Sequence, residues 1–188
     1  MVTSQPDQHA SRLSDAQLID AANAGNVEAF AKLYTRYQHW VTDLAYRFTH
    51  DSDLALDVLQ DTFEYVLSKF PGFVLEANMK TFLYPVVRHI AISSQSKARR
   101  LCYGENLPPS HALAIDPEAE ESRAQLAAVM DSLPTHQYEI LILRYADGLS
   151  LTQIATAMRI PLGTVKSRLH TALTAMRENE LTKKYFDL

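Results

Sequence analysis

Residues 149–177 constrain the fold more than any other stretch of this chain. Ser150 stands where a helix N-cap belongs, and apolar spacing predicts a short helix from there to Met158. Arg159-Ile160-Pro161 follows, and a second helix is predicted from Leu162 to about Asn179. Three residues between two helices leave room only for a tight corner, so the segment reads as a helix-turn-helix. Ile154, Ala155 and Met158 are expected to face inward, with Ile160 plugging the corner and Val165 and Leu169 turned to the same core. That leaves Thr164, Lys166, Ser167, Arg168, His170 and Thr171 as outward groups at the front of the second helix. A helix of this kind enters the major groove by its N-terminal end, where small polar and basic side chains reach phosphates and base edges. A plain helical hairpin is the other reading, but it gives no reason for the absence of any acid between Arg159 and Arg177.

Helical spacing also governs the first half. Ser14 or Asp15 is positioned to cap a helix to about Ala24, stopped by Gly25-Asn26. Phe30, Leu33, Tyr34, Tyr37, Val41, Leu44, Ala45 and Phe48 recur at three and four along a second helix from Val27 to His50. A third helix, capped by Ser52 or Asp53, is expected to turn Leu54, Val58, Leu59, Phe63, Val66 and Leu67 inward and to break at Phe70-Pro71-Gly72. A fourth runs from about Met79 to Arg99 with Pro85 in its early turns. Helix resumes near Ala119, and Pro134 opens another helix to about Ala146, closed by Asp147-Gly148.

No stretch alternates as a strand does. The fold expected is all-α, with two small helical domains at 13–100 and 122–180 joined by an acidic linker at 101–121. Tails without periodicity are expected at 1–12 and 181–188.

Net charge is −4, which on its face argues against nucleic acid. The distribution argues otherwise. Asp51 to Glu64 holds five acids and no base, and Lys80 to Gly104 holds five bases and no acid. Six acids then stand against Arg123 between Glu105 and Asp131, before four bases from Arg159 to Arg177. Two basic blocks separated by acidic ones fit one polyanion touched twice, although either block alone also fits the solvated face of an ordinary helix.

Leu133-Pro134, Glu139 to Tyr145, Gly148-Leu149-Ser150, Ile154-Ala155 and Pro161 to Leu169 together resemble region four of bacterial sigma factors, nearest the extracytoplasmic-function group. The first half resembles the same family independently. Asp57 to Phe63 is similar to its core-polymerase-binding helix, and Lys80 to Tyr84 with Arg88, His89, Ile90 and Ala91 is similar to its promoter-melting helix.

The resemblance implies roles for faces already visible. Asp57, Gln60, Asp61 and Glu64 share one helix face at spacings of three and four; in the family that face grips the largest, clamp-forming subunit of core RNA polymerase. Lys80, Arg88, His89, Lys97, Arg99 and Arg100 would line −10 DNA, where the family's melting helix and the loop before it hold an unstacked base. Thr164, Lys166, Ser167, Arg168, His170 and Thr171 would meet −35 DNA. The expected partners are core polymerase, promoter DNA and an anti-sigma factor or other regulator. Phe82, Pro85 and His89 depart from the family's usual residues, so its −10 base preference does not carry over. Phe82 is expected in the core.

No catalytic activity, cofactor or metal is expected. There is no Gly-rich phosphate loop, and no HExxH or Ser-His-Asp pattern among seven histidines. Asp53, Asp57 and Asp61 recur every four residues, but no histidine follows at ligand spacing on that face. Cys102 stands alone, which excludes an internal disulfide and fits a reducing cytoplasm. No apolar run approaches a membrane span, and no secretory signal opens the chain. A stand-alone helix-turn-helix regulator, or a helical module that sequesters a protein partner, are the competing readings.

Overall fold

The computed structural model describes residues 13–101, 126, 128–130, 132–179 and 183. It is all-α, with no strand among the described residues. The chain divides into two units, residues 1–104 and 105–188. Apart from Leu101 and Lys183, the expected tails at 1–12 and 181–188 and the expected linker at 101–121 lie outside the described residues.

The N-terminal unit holds α1 (Asp15–Asn23), α2 (Val27–Thr49), α3 (Ser52–Leu67) and α4 (Met79–Leu101). Each start is set locally. The Ser14 hydroxyl accepts the Gln17 N–H at 3.3 Å, and the Gln17 side chain accepts the Ser14 N–H at 2.8 Å, a reciprocal capping box. Asn26 caps α2 by accepting from the Ala29 N–H at 3.1 Å. The α3 cap is Asp51, not Ser52 or Asp53, and it accepts from the Asp53 and Leu54 N–H groups at 2.9 and 3.0 Å. The reason lies one residue earlier. His50 ends α2 in the left-handed conformation (φ 54), which leaves Asp51 extended at the point where a cap is needed.

α2, α3 and α4 pack on one another, and α1 lies against α2. Leu33, Val41 and Ala45 of α2, Val58 and Val66 of α3, and Leu83, Val87 and Ala91 of α4 are fully buried. Each buried Leu or Val contributes about 1.5–3 kcal/mol of apolar burial. Leu67, expected inward, is 53% exposed. It is the last residue of α3, and no further turn of that helix follows to cover it.

Thr62 sits in this core with no exposure, and its hydroxyl has no partner among the described residues. An unsatisfied buried hydroxyl costs about 1–3 kcal/mol. Thr62→Val should therefore stabilise the chain by about 1 kcal/mol, read as a higher urea midpoint at unchanged slope.

The start of α1 is tied to the middle of α2. Arg36 pairs with Asp15 at 2.5 Å and donates to the Leu13 carbonyl at 2.7 Å, while the Tyr37 hydroxyl donates to the other Asp15 oxygen. Burial, and then the bond to the Asp15 carboxylate, push the Tyr37 hydroxyl far above its ordinary value. The folded chain thus keeps this proton where the unfolded chain loses it, at about pH 10. Stability from this group is complete below that pH and is lost as pH rises above it. Tyr37→Phe should flatten the loss of stability in alkaline denaturation curves.

The C-terminal unit holds α5 (Thr135–Leu141), α6 (Leu151–Met158) and α7 (Leu162–Glu178). Residues 126 and 128–130 are also helical. Pro134 is the residue before α5 and not its first. The helix expected to reach Ala146 widens over Ile142–Ala146 into a π turn, where the Asp147 N–H reaches back five residues to the Ile142 carbonyl at 3.0 Å. Ile140, Leu143, Leu149, Ile154 and Val165 are buried. α5 also packs on α7, where Val129, Leu141, Ala172 and Met176 form a cluster with Leu133 and Leu169 against it. The buried face of α6 is Ile154 and Ala157. Ala155 and Met158, expected inward, are half-buried: Ala155 stands a single step off the Ile154 position, and Met158 is the last residue of the helix.

Candidate nucleic-acid interface

The corner between α6 and α7 is built from its caps. Ser150 starts α6 with a capping box to Gln153. Arg159 ends it in the left-handed conformation (φ 54), and the Ile160 N–H donates back to the Ala155 carbonyl at 3.1 Å. Pro161 then occupies the α7 cap position, so no side chain caps that helix and no acid stands in its first turn. The leading N–H groups and the positive end of the α7 dipole are suited to an anion such as a phosphate.

Along α7, Lys166, Ser167, His170 and Thr171 are exposed, while Thr164 and Arg168 are half-buried. The Ser167 hydroxyl donates to the Thr164 carbonyl at 3.1 Å, and the Thr171 hydroxyl to the Ser167 carbonyl at 3.0 Å. Both hydroxyl protons are spent on the helix itself. As they stand, these two groups offer an anion no donor, whereas Lys166, Arg168, His170 and the Thr164 hydroxyl carry donors.

In the N-terminal unit, Lys80 and Arg88 of α4 each lie over an aromatic ring of α2. The Lys80 Nζ is 5.6 Å from the Trp40 ring centre, and the Arg88 Cζ is 5.9 Å from that of Phe48. His89 and Lys97 are exposed. At 100° per residue Lys97 stands half a turn around α4 from Arg88, so the basic block does not form one face. Arg99 and Arg100 lie within α4, but their side chains fall outside what the structure describes. Phe82 is half-buried, its ring 4.8 Å from that of Phe73.

Asp57, Gln60, Asp61 and Glu64 are all exposed on α3. The Gln60 amide donates to Glu64 at 3.0 Å, and among the described residues no cation pairs with the three acids. Leu56, 55% exposed, borders this face. Among the described residues, no helix is long and apolar enough to cross a membrane.

Residue types and spacing marked the acids and bases of these faces but missed Trp40 and Phe48 as supports. Trp40 falls on the apolar spacing of α2, three residues after Tyr37 and four before Leu44, and that spacing is the signal that could have drawn attention to it.

Comparison with known proteins agrees along the chain. The family model for Sigma-70 region 2 matches residues 33–101, and that for Sigma-70, region 4 matches residues 123–176. RNA polymerase sigma-H factor of Pseudomonas aeruginosa is 31% identical over 181 residues, spanning 86% of this chain and 91% of that protein. The ECF RNA polymerase sigma-E factor of Escherichia coli K12 is 30% identical over 184 residues, spanning 88% and 93%. Among solved structures, the sigma factor RpoE of Bartonella quintana, bound to the anti-sigma factor NepR, is similar with a TM-score of 0.63 at 23% identity, over 84% of this chain and 98% of that one. CnrH, bound to the cytosolic domain of CnrY, gives a TM-score of 0.60 at 21% identity, over 86% and 93%.

Proposed function

The chain belongs to the sigma-70 family, in its extracytoplasmic-function group, and from that premise we propose how its surfaces divide the work of transcription initiation. It is an alternative sigma factor: it joins core RNA polymerase, recognises promoter DNA and helps to open it. The exposed face Asp57, Gln60, Asp61 and Glu64 takes the largest, clamp-forming subunit of the polymerase, meeting a basic surface. Lys80, Arg88, His89, Lys97, Arg99 and Arg100, with the loop before α4, take the −10 element and its unstacked base. Thr164, Lys166, Ser167, Arg168, His170 and Thr171 take the −35 element in the major groove.

The observation that carries this reading is the pairing within one small unit of an unneutralised acidic helix face on α3 with aromatic-backed cations on α4. An acidic face repels DNA and suits a basic protein, and a cationic aromatic seam suits single-stranded DNA. One solved relative is bound to an anti-sigma factor and another to the cytosolic domain of CnrY, which supports an anti-sigma factor or other regulator as a further partner. The chain works in the cytoplasm, where the polymerase is, and makes no bond itself. Run-off transcription with purified core polymerase tests the whole. Specific transcripts are expected only when the chain is added, and a chain that bound duplex promoter but never programmed core polymerase would instead be a stand-alone regulator.

A further inference from the structure

Asn23 closes α1, and its side chain reaches the loop before α4. Its Oδ1 accepts from the Gly72 N–H at 2.7 Å and from the Phe73 N–H at 2.9 Å. Its Nδ2 donates to the Phe73 carbonyl at 2.9 Å. One planar amide thus satisfies three backbone groups that lie 49 and 50 residues away in sequence. Only a side chain with an acceptor and a donor on one short stem does this: aspartate lacks the donor.

The clamp serves the loop more than the helix. α1 is already anchored, by the Asp15, Arg36 and Tyr37 cluster at its start and by buried Leu18 and Ile19. The loop is a different case. Gly72 is at φ 104, where a side chain would be strained. Phe73 is buried, its ring 5.4 Å from Phe70 and 4.8 Å from Phe82. Beyond this point the loop faces solvent: Val74 is 77% exposed, and Glu76 and Ala77 are also exposed, before Asn78 bonds the Thr81 N–H at 2.8 Å in the first turn of α4. The segment between the two asparagines is therefore held at both ends and open in the middle, the form of a preorganised binding loop.

We infer that Asn23 is a positioning residue for promoter opening: it fixes residues 72–77 in the shape that receives the unstacked −10 base before DNA arrives. The inference rests on the assignment of that loop to −10 DNA made above. Asn23 touches no DNA and acts through the backbone of Gly72 and Phe73.

The test uses the full chain with core polymerase, on promoters carrying every single-base change in the −10 element and on one template with that element already opened. Asn23→Ala should lower discrimination among −10 bases roughly tenfold, the scale of one or two net hydrogen bonds. Polymerase capture, and transcription from the opened template, should stay within roughly twofold on the same scale. Asn23→Asp keeps both acceptor bonds but sets a carboxylate against the Phe73 carbonyl, so it should fall between. It carries the test if the alanine variant melts early. A uniform loss on all templates, the opened one included, with wild-type base preference, would reduce Asn23 to a stabilising contact and overturn the inference. Val74→Asp, in the exposed part of the loop, separates the two failures. If it shifts base preference and both Asn23 variants do not, this inference alone falls; if neither shifts it, the −10 assignment of the loop falls as well.

Discussion

Asp61→Lys is expected to abolish capture of core RNA polymerase by a chain that remains fully folded. Asp61 is exposed, and among the described residues it pairs with no cation. Its replacement therefore breaks no ion pair, and surface changes of that kind move stability by about ±0.5 kcal/mol. Helix electrostatics push the other way. Asp57 and Asp61 are like charges one turn apart, and the substitution turns that pair into an acid followed four residues later by a base, the favourable order, for about 0.2–0.5 kcal/mol. Loss of capture then cannot be ascribed to unfolding. At the interface the same change places like charge against a basic surface, a penalty of several kcal/mol and hence on the order of 100-fold or more in affinity. Asp61→Asn removes the attraction without adding repulsion and should lie between. Pull-down at low and high salt, with thermal melts of both variants, reads the result. Unchanged capture by folded Asp61→Lys would remove α3 from the polymerase interface.

How far such faces are legible depends on how local their causes are. Ser14 and Ser150 each have a glutamine three residues on, and both pairs close as capping boxes; a three-residue pattern carries all the information the cap needs. The apolar rhythm of α2 likewise finds Leu33, Val41, Leu44 and Ala45 in the core. Where the cause lies elsewhere, sequence reading slips. Asp51 displaces Ser52 and Asp53 as the α3 cap because His50 adopts a left-handed turn, a conformation that histidine does not advertise. The π turn at Ile142–Ala146 inserts a residue into a helix whose pattern looks regular. Asn23 reads as an ordinary helix-end residue, and its partners are 49 and 50 residues away. The acids of α3 and the bases of α4 and α7 were visible because charge and spacing alone define them. The rings beneath Lys80 and Arg88 were not, since only the packing of α2 against α4 brings them there.

Arg168→Ala should cost the −35 interaction about 1–3 kcal/mol if the guanidinium reads a base. The α7 surface makes this residue matter more than its single charge implies. Ser167 and Thr171 spend their hydroxyl protons on helix carbonyls, so the donors left at the front of the helix are few. Thr171 and Leu173, which follow on the same helix, carry no charge, which limits the number of phosphates neutralised. Each phosphate contact contributes about 0.9 to the slope of log affinity against log salt. Duplex binding by the free chain should therefore be weak and have a shallow salt slope, with useful affinity gained on the polymerase. Arg168 is the seventh residue of α7, about 9 Å along the axis from Leu162 at 1.5 Å per residue. It is half-buried, so its stem lies along the protein surface while the charged head stays in solvent. A mixed role follows: one phosphate, and one base edge at the limit of reach. Salt titrations of wild type and Arg168→Ala on matched and scrambled −35 duplexes separate the parts. A mixed role lowers the slope by about one and also narrows the gap between matched and scrambled duplex. A loss equal on both duplexes would make Arg168 a phosphate contact alone. Superimposable curves for the two proteins would mean that Arg168 faces away from DNA, and the recognition face of α7 would have to be turned toward Lys166 and His170.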